Sequence, residues 1–159
     1  MAGSFKTGRG RHGSVVGMEQ TLNVITLGVR DLDASRRFYV DGLGWKPHLD
    51  VPGEVIFFQV SHGTLLSLWD REAMAAEAGE VHRGDDAAPI TLGHPVSSAD
   101  EVAAVLDRAT AAGGTVIRPA ERRDWGGVSG YFTDPDGFRW EVAHNPGITF
   151  GADGTIAFG

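Results

Sequence analysis

The stretch Gly130-Tyr131-Phe132-Thr133-Asp134-Pro135-Asp136-Gly137-Phe138-Arg139-Trp140-Glu141-Val142 holds two strand-like runs joined by a four-residue reversal. Proline at the second turn position presets its own φ, and glycine at the fourth accepts left-handed backbone, so Asp134-Pro135-Asp136-Gly137 reads as a tight turn. The flanking aromatic and β-branched residues suit a pleated surface buried on one side. A hairpin of Val128 to Thr133 with Phe138 to Ala143 follows.

Working back from the hairpin, Thr115 to Pro119 is a third strand candidate, preceded by Gly113-Gly114. Before the glycines, Val102, Val105, Leu106 and Ala109 recur at helical spacing. Ser98-Ala99-Asp100-Glu101 opens that helix as a capping box, in which Ser98 and Glu101 are expected to satisfy each other's free N–H groups. Ile90 to Val96 is a strand candidate ahead of it. The second half of the chain is therefore β-α-β-β-β.

The first half gives the same order. Thr21 to Val29 reads as a strand, and a helix runs from Arg30-Asp31-Leu32-Asp33 to about Asp41, with Asp31 or Asp33 as its cap and Phe38 and Tyr39 on its buried side. Gly42 and Gly44 stop it. Strands are expected over Trp45 to Val51, Glu54 to Val60 and Thr64 to Trp69, with turns at Pro52-Gly53 and Ser61-His62-Gly63. Asp70 to Ala78 reads as a short helix and Gly79 to Ala88 as a polar linker. Two βαβββ halves make an internal duplication, aligned by their last turns: Gly63 with Gly137, Phe57 with Tyr131, Ser67 with Glu141. The organisation expected is a disordered extension over 1–17, a first module over 18–70, a short helix and linker over 71–88, a second module over 89–147, and a tail over 148–159 with a small hairpin around Asp153-Gly154. The extension carries Lys6, Arg9 and Arg11 without an apolar run behind them, so it does not read as a signal peptide.

Composition narrows the function classes. Twenty-one acidic against 14 basic side chains give a formal charge of −7, which argues against phosphate-backbone binding and hence nucleic acid. The chain has no cysteine, so thiolate metal sites, disulfides and cysteine nucleophiles are excluded, in keeping with a cytoplasmic setting. Apolar runs stop well short of the roughly 18 residues that span a bilayer, so no membrane partner is expected.

The two motifs together resemble the vicinal-oxygen-chelate superfamily of glyoxalase, bleomycin-resistance and dioxygenase-like proteins. The first is Leu27-Gly28-Val29-Arg30-Asp31-Leu32-Asp33-Ala34-Ser35-Arg36-Arg37-Phe38-Tyr39 with Gly42-Leu43-Gly44-Trp45; the second is the hairpin quoted above. The resemblance spans about residues 20 to 147 and implies an α+β fold, two βαβββ modules rolled into an incompletely closed mixed sheet around a small-molecule cavity. It also implies a homodimer, with modules paired across subunits in some members.

In metal-dependent members the ligands come from the first and last strands of each module. Those positions fall here on Val24, Ser67, Thr91 and Glu141, of which only Glu141 is a good donor. Glu141 stands as a metal ligand only in the event that a metal binds, and a metal-free site is the expectation. His94 and His144 lie an odd number of residues from the mapped ligands, so strand alternation turns them to the opposite face. Glyoxalase I, extradiol dioxygenase and fosfomycin-modifying activities each lack their ligand sets.

With Glu141 facing inward, Arg139 and Ala143 share its face, and the module alignment adds Ser129, Tyr131, Phe57, Gln59, Leu65, Ser67 and Trp69. The family resemblance implies a substrate-binding part for Ser129 and Tyr131. Glu141 and Tyr131 are the catalytic candidates, Glu141 as a general base. Phe57, Gln59, Ser67, Trp69, Thr91, Trp125, Ser129 and Arg139 are the substrate-binding candidates, Trp125-Gly126-Gly127 as a gate over the cavity. Each has a plainer reading: Phe57, Leu65 and Trp69 as core, Trp125 as a turn aromatic, Glu141 as a structural carboxylate. A lyase or isomerase acting on a small oxygenated compound is one expectation, and a protein that sequesters a drug or metabolite without turnover is the alternative; a structural or partner-binding role is a third.

Overall fold

A computed structural model describes residues 20–84 and 88–159, so the N-terminal extension lies outside the described residues. Two four-stranded mixed sheets dominate. The first has β1 (Val24–Val29), β2 (Leu49–Val51), β3 (Val55–Ser61) and β4 (Thr64–Asp70) in the order β1-β4-β3-β2. The second has β5 (Thr91–Pro95), β6 (Thr115–Arg122), β7 (Val128–Thr133) and β8 (Arg139–His144) in the order β5-β8-β7-β6. Each sheet thus runs first, last, third, second strand of its module, with the first pair parallel and the rest antiparallel. The duplication holds at residue level: Phe57 pairs with Ser67 in one sheet, and Tyr131 with Glu141 in the other. Gly63 and Gly137 both take left-handed backbone in the turns between those strands, at φ 80° and 88°. The sheets do not close into a barrel, and the α+β class stands.

Helices α1 (Leu32–Arg36), α2 (Arg71–Ala78) and α3 (Ala99–Ala111) complete the modules. Asp31 caps α1 by accepting from the Asp33 and Ala34 amides at 2.9 and 3.0 Å. Beyond Arg36 the helix widens into a π-turn over Arg37–Gly42, where the Leu43 amide reaches back five residues to the Phe38 carbonyl. That change of winding buries two consecutive rings, Phe38 and Tyr39. Gly42 ends the turn against α3. A Cβ there would lie 2.3 Å from the Ala112 Cβ, so only glycine permits the approach.

Several boundaries differ from the sequence expectation for identifiable reasons. β1 starts at Val24 rather than Thr21, because its parallel partner β4 begins only after the Gly63 turn. Trp45 to His48 form no strand: the Trp45 amide bonds the Tyr39 carbonyl and Pro47 has no N–H, so pairing opens with the His48 amide on the Phe57 carbonyl. β6 extends to Arg122 as an edge strand, carrying Pro119 within an irregular register. At the start of α3, Ser98 accepts from the Glu101 amide as expected, but the Glu101 carboxylate accepts from Ser97 rather than Ser98. The tail forms the expected hairpin, β9 (Ile148–Phe150) with β10 (Ile156–Phe158). No helix among the described residues is long and apolar enough to cross a membrane.

The sheets share one core through their helix-facing sides. Ile56, Phe58, Leu66 and Leu68 from the first meet Phe132, Trp140 and Val142 from the second, with Phe38 and Tyr39 between them. Full burial of each such side chain is worth about 1.5–3 kcal/mol, which makes this the main source of cohesion. Within it lies a polar network. Trp140 Nε1 donates to Tyr39 Oη at 3.1 Å, and the Tyr39 hydroxyl donates to Asp134 Oδ2 at 2.7 Å. Asp134 Oδ1 accepts from the Asp136 and Phe138 amides. Asp136 in turn accepts from the Arg30 amide at 2.8 Å, from Arg30 Nε at 3.2 Å and from Ser35 Oγ. The two sequence motifs are therefore each other's docking partners.

Burial pushes the Asp134 carboxyl up to about 6 from an ordinary 3.8, despite three donated hydrogen bonds that favour its anion. A raised folded-state value means the fold holds this proton more tightly than the unfolded chain does. The associated stability is complete below about pH 4 and is lost as pH rises through about 6. From about pH 4 to about pH 7 the stability of the wild type relative to Asp134→Asn should fall by about 2–3 kcal/mol, measured by urea unfolding at each pH. A difference that does not change with pH contradicts this reading.

Candidate functional site

Strand alternation divides β8 cleanly. Trp140 and Val142 enter the core, while Arg139, Glu141 and Ala143 face the opposite side. Tyr131 stands directly across on β7 and donates its hydroxyl to Glu141 Oε1 at 2.6 Å, both residues being half-buried. Ser129, two residues earlier on the same face, is 1% exposed. Its hydroxyl oxygen accepts from Arg123 Nε at 2.9 Å, and its carbonyl accepts from Arg123 Nη2 at 3.1 Å. Arg123 also reaches Glu121 at 3.3 Å. The Tyr131 hydroxyl is raised above its ordinary range, chiefly because it donates to the Glu141 carboxylate and secondarily by burial; Arg123 and Ser129 work against both. Tyr131 thus stays protonated at neutral pH and orients the carboxylate, leaving Glu141 Oε2 available as an acceptor. Gly93 on β5 pairs with Glu141, and a Cβ built on it meets nothing within 4 Å, so open space lies beside the carboxylate.

The equivalent face of the first sheet is quieter. Phe57 and Ser67 are cross-strand partners, and Thr26 is the β1 neighbour of Ser67. Ser67 is buried. Trp69 sits beside Gly28, where α2 closes over the sheet: a Cβ on Gly28 would meet Met74 Sδ at 3.0 Å. Thr91 is exposed and pairs with Arg139.

The structure therefore brings Tyr131, Glu141 and Ser129 together, Phe57 with Ser67, and Thr91 with Arg139. It does not bring the two sheets' sets into one enclosure within a chain, since the sheets meet through their other sides. Gln59 donates its amide to the Ser61 and Thr64 carbonyls at the β3–β4 turn, away from Glu141. Trp125 folds back on its own turn, its ring occupying the space a Cβ on Gly127 would need, and is 49% exposed. Sequence reasoning missed Arg123, which lies in a charged run. The available signal was indirect: a serine buried on an inward face needs a hydrogen-bond partner.

Two cavities accompany these faces. One, of about 620 Å³, lies between the modules on the helix side of both sheets. The other, of about 840 Å³, lies between the β1–α2 region and the Asp134–Gly137 turn. Neither is lined by Glu141, Tyr131, Ser129, Phe57, Ser67 or Trp69.

The donor set does not fit a resident divalent metal. At the four mapped positions Val24 offers no donor and Ser67 and Thr91 offer only neutral hydroxyls, and among the described residues no three His, Cys, Asp or Glu side chains converge. Removing the arginine that serves this face should be felt. Arg123→Ala removes both hydrogen bonds that Arg123 donates to Ser129 and is expected to cost about 1–3 kcal/mol in urea unfolding. An unchanged midpoint contradicts the role given to Arg123.

The sequence matches the family described as the Glyoxalase/Bleomycin resistance protein/Dioxygenase superfamily over residues 21–142. No curated protein matches it. Among solved structures, it is similar to a glyoxalase-related enzyme from Fulvimarina pelagi, at 42% identity and TM-score 0.79 over 88% of this chain and 99% of that one. A glyoxalase/bleomycin resistance protein/dioxygenase from Nocardioides is 26% identical, with TM-score 0.68 over 86% and 93% of the two chains. Lactoylglutathione lyase from Agrobacterium tumefaciens is also 26% identical, with TM-score 0.59 over 79% and 94%. Duplicated βαβββ topology, the docked pair of motifs and a family match over most of its length make this chain a member of the glyoxalase/bleomycin-resistance/dioxygenase superfamily.

Proposed function

We propose that the protein binds a small oxygenated organic compound against the Glu141 face and acts on it as a metal-independent lyase or isomerase. The observation that carries this reading is the Tyr131–Glu141 hydrogen bond beside the open space at Gly93. A carboxylate with one oxygen held by a phenol and the other free is placed to take a proton from a carbon next to a carbonyl. Tyr131 orients the substrate, and the buried Ser129, held by Arg123, supports the strand beneath it. Likeness to a glyoxalase-related enzyme and to a lyase agrees with this class of chemistry.

The site is completed by a second copy of the chain. One chain presents the Phe57–Ser67 face and the Tyr131–Glu141 face in different directions, and apolar side chains stand exposed on the first of these, Val24 and Leu49 among them. A homodimer that sets the first-module face of one copy against the second-module face of the other encloses the ligand and covers these residues.

One observation favours a second reading. Three of the four ligand positions offer no good metal donor, which also suits a protein that sequesters a drug or metabolite without turnover. Proton exchange separates the two. In deuterated buffer, hydroxyacetone, dihydroxyacetone and pyruvate are followed by NMR for deuterium uptake next to the carbonyl, with and without chelator. Uptake that survives chelation and drops about a hundredfold in Glu141→Gln supports the enzyme. Binding without uptake supports sequestration, and uptake unchanged in Glu141→Gln removes the proposed base.

A further inference from the structure

The cleft between the modules borders the Glu141 face at Gly93 but includes neither Glu141 nor Tyr131 among its walls. Its walls are Ile25, Phe58 and Leu66 of the first module and Leu92 and Trp140 of the second, with Trp45 from the connection after the π-turn. Alternation puts Phe58 and Leu66 on the opposite side of their strands from Phe57 and Ser67, and Trp140 opposite Glu141. The apolar walls of the cleft thus lie on the opposite side of the sheets from Glu141, and the two sides meet at the strand edges through Gly93 and Gln59. At about 620 Å³, the cleft falls within the usual range of roughly 300–1,000 Å³ for small-molecule sites.

Its chemistry is specific. Trp45 stands edge-to-face with both Phe58 and Trp140, at centroid distances of 5.4 and 5.7 Å, so three rings border one space. The polar groups around it are Lys46, Gln59, Ser61 and His94, and no Asp or Glu lines it although the chain carries a formal charge of −7. Lys46 makes no ion pair among the described residues. Gln59 commits its amide nitrogen to Ser61 and Thr64, leaving its oxygen as an acceptor. Burial lowers the His94 imidazole below its ordinary value against the opposing pull of Glu101, so it stands neutral and offers both a donor and an acceptor.

We propose that this cleft is a second binding site, for a small aromatic carboxylate whose ring packs among Trp45, Phe58 and Trp140 and whose carboxylate pairs with Lys46. Rings with a negative face and positive edge favour a flat aromatic guest over an aliphatic one of equal volume. An acid-free mouth with one unpaired ammonium selects an anion over a neutral analogue, while the acidic remainder of the surface repels the same anion elsewhere. This site stands independently of the reaction assigned to Glu141.

Calorimetric titration of the full chain with 1-naphthoate and with uncharged 1-naphthamide tests it. Naphthoate is expected to bind saturably and more tightly than the amide. Lys46→Glu should weaken naphthoate about tenfold or more and leave the amide unchanged. Val60→Trp, a substitution at a 43% exposed position on the cleft, should block both. Both variants alter exposed positions and are expected to keep the wild-type melting temperature, and Glu141→Gln should bind naphthoate as the wild type does. Absence of naphthoate binding overturns the proposal, as does equal affinity for the amide or loss of binding in Glu141→Gln. A change of oligomeric state in Lys46→Glu or Val60→Trp, seen by sedimentation, also overturns it and assigns the cleft to contact between copies.

Discussion

The hydrogen bond from Tyr39 to Asp134 fixes how two modules that share one apolar core meet each other. Each βαβββ unit has a sheet with one apolar side and too few helical residues to cover it. The π-turn after α1 resolves this by placing Phe38 and Tyr39 between the two sheets, Phe38 against Phe132 of the second and Tyr39 against both Phe58 of the first and Trp140 of the second. Once there, the Tyr39 hydroxyl is buried and must be satisfied, and Asp134 and Trp140 supply its acceptor and donor. Asp134 is held by two amides of its own turn, and Asp136 ties that turn back to Arg30 at the entrance to α1. The geometry of the β7–β8 hairpin, and with it the placement of Tyr131 against Glu141 on the far side, depends on this anchor.

Much of this was legible in the sequence. The spacing of turn residues and apolar runs specified the duplicated order, and the alignment of Gly63 with Gly137 placed Phe57–Ser67 and Tyr131–Glu141 in equivalent pairings, as the register shows. Alternation also put Ser129, Tyr131 and Glu141 on one face. Less legible were features set by contacts between distant segments. The π-turn has no local signature, because it is imposed by the close approach of Gly42 to Ala112 and by the burial of two consecutive rings. Gln59 was assigned to the ligand face by parity, yet a bulge between Gln59 and Ser61 turns its amide to the hairpin backbone. Arg123 was hidden because nothing local distinguishes it from Arg122.

Family membership and site chemistry carry different information here. The topology, the docked motifs and the match over residues 21–142 identify the scaffold. A scaffold hosts many chemistries, so function has to be argued from the groups on it. At the four positions mapped from the family resemblance, Val24, Ser67, Thr91 and Glu141, the chain offers one carboxylate, and the Tyr131 phenol donates to it. The proposed proton transfer or ligand capture at this face rests on that pair of groups. The opposite side of the same sheets holds an acid-free aromatic cleft, so a mutation in β8 alters one or the other according to parity.

The most direct test of the account is a double-mutant cycle of Tyr39→Phe and Asp134→Asn, with stability measured by urea unfolding near neutral pH. If the bond joins the modules as described, the two losses are coupled and the double variant is less destabilised than their sum by about 1–3 kcal/mol. Losses that add to within about 0.5 kcal/mol would show the two side chains acting separately, and the junction would then rest on apolar packing alone.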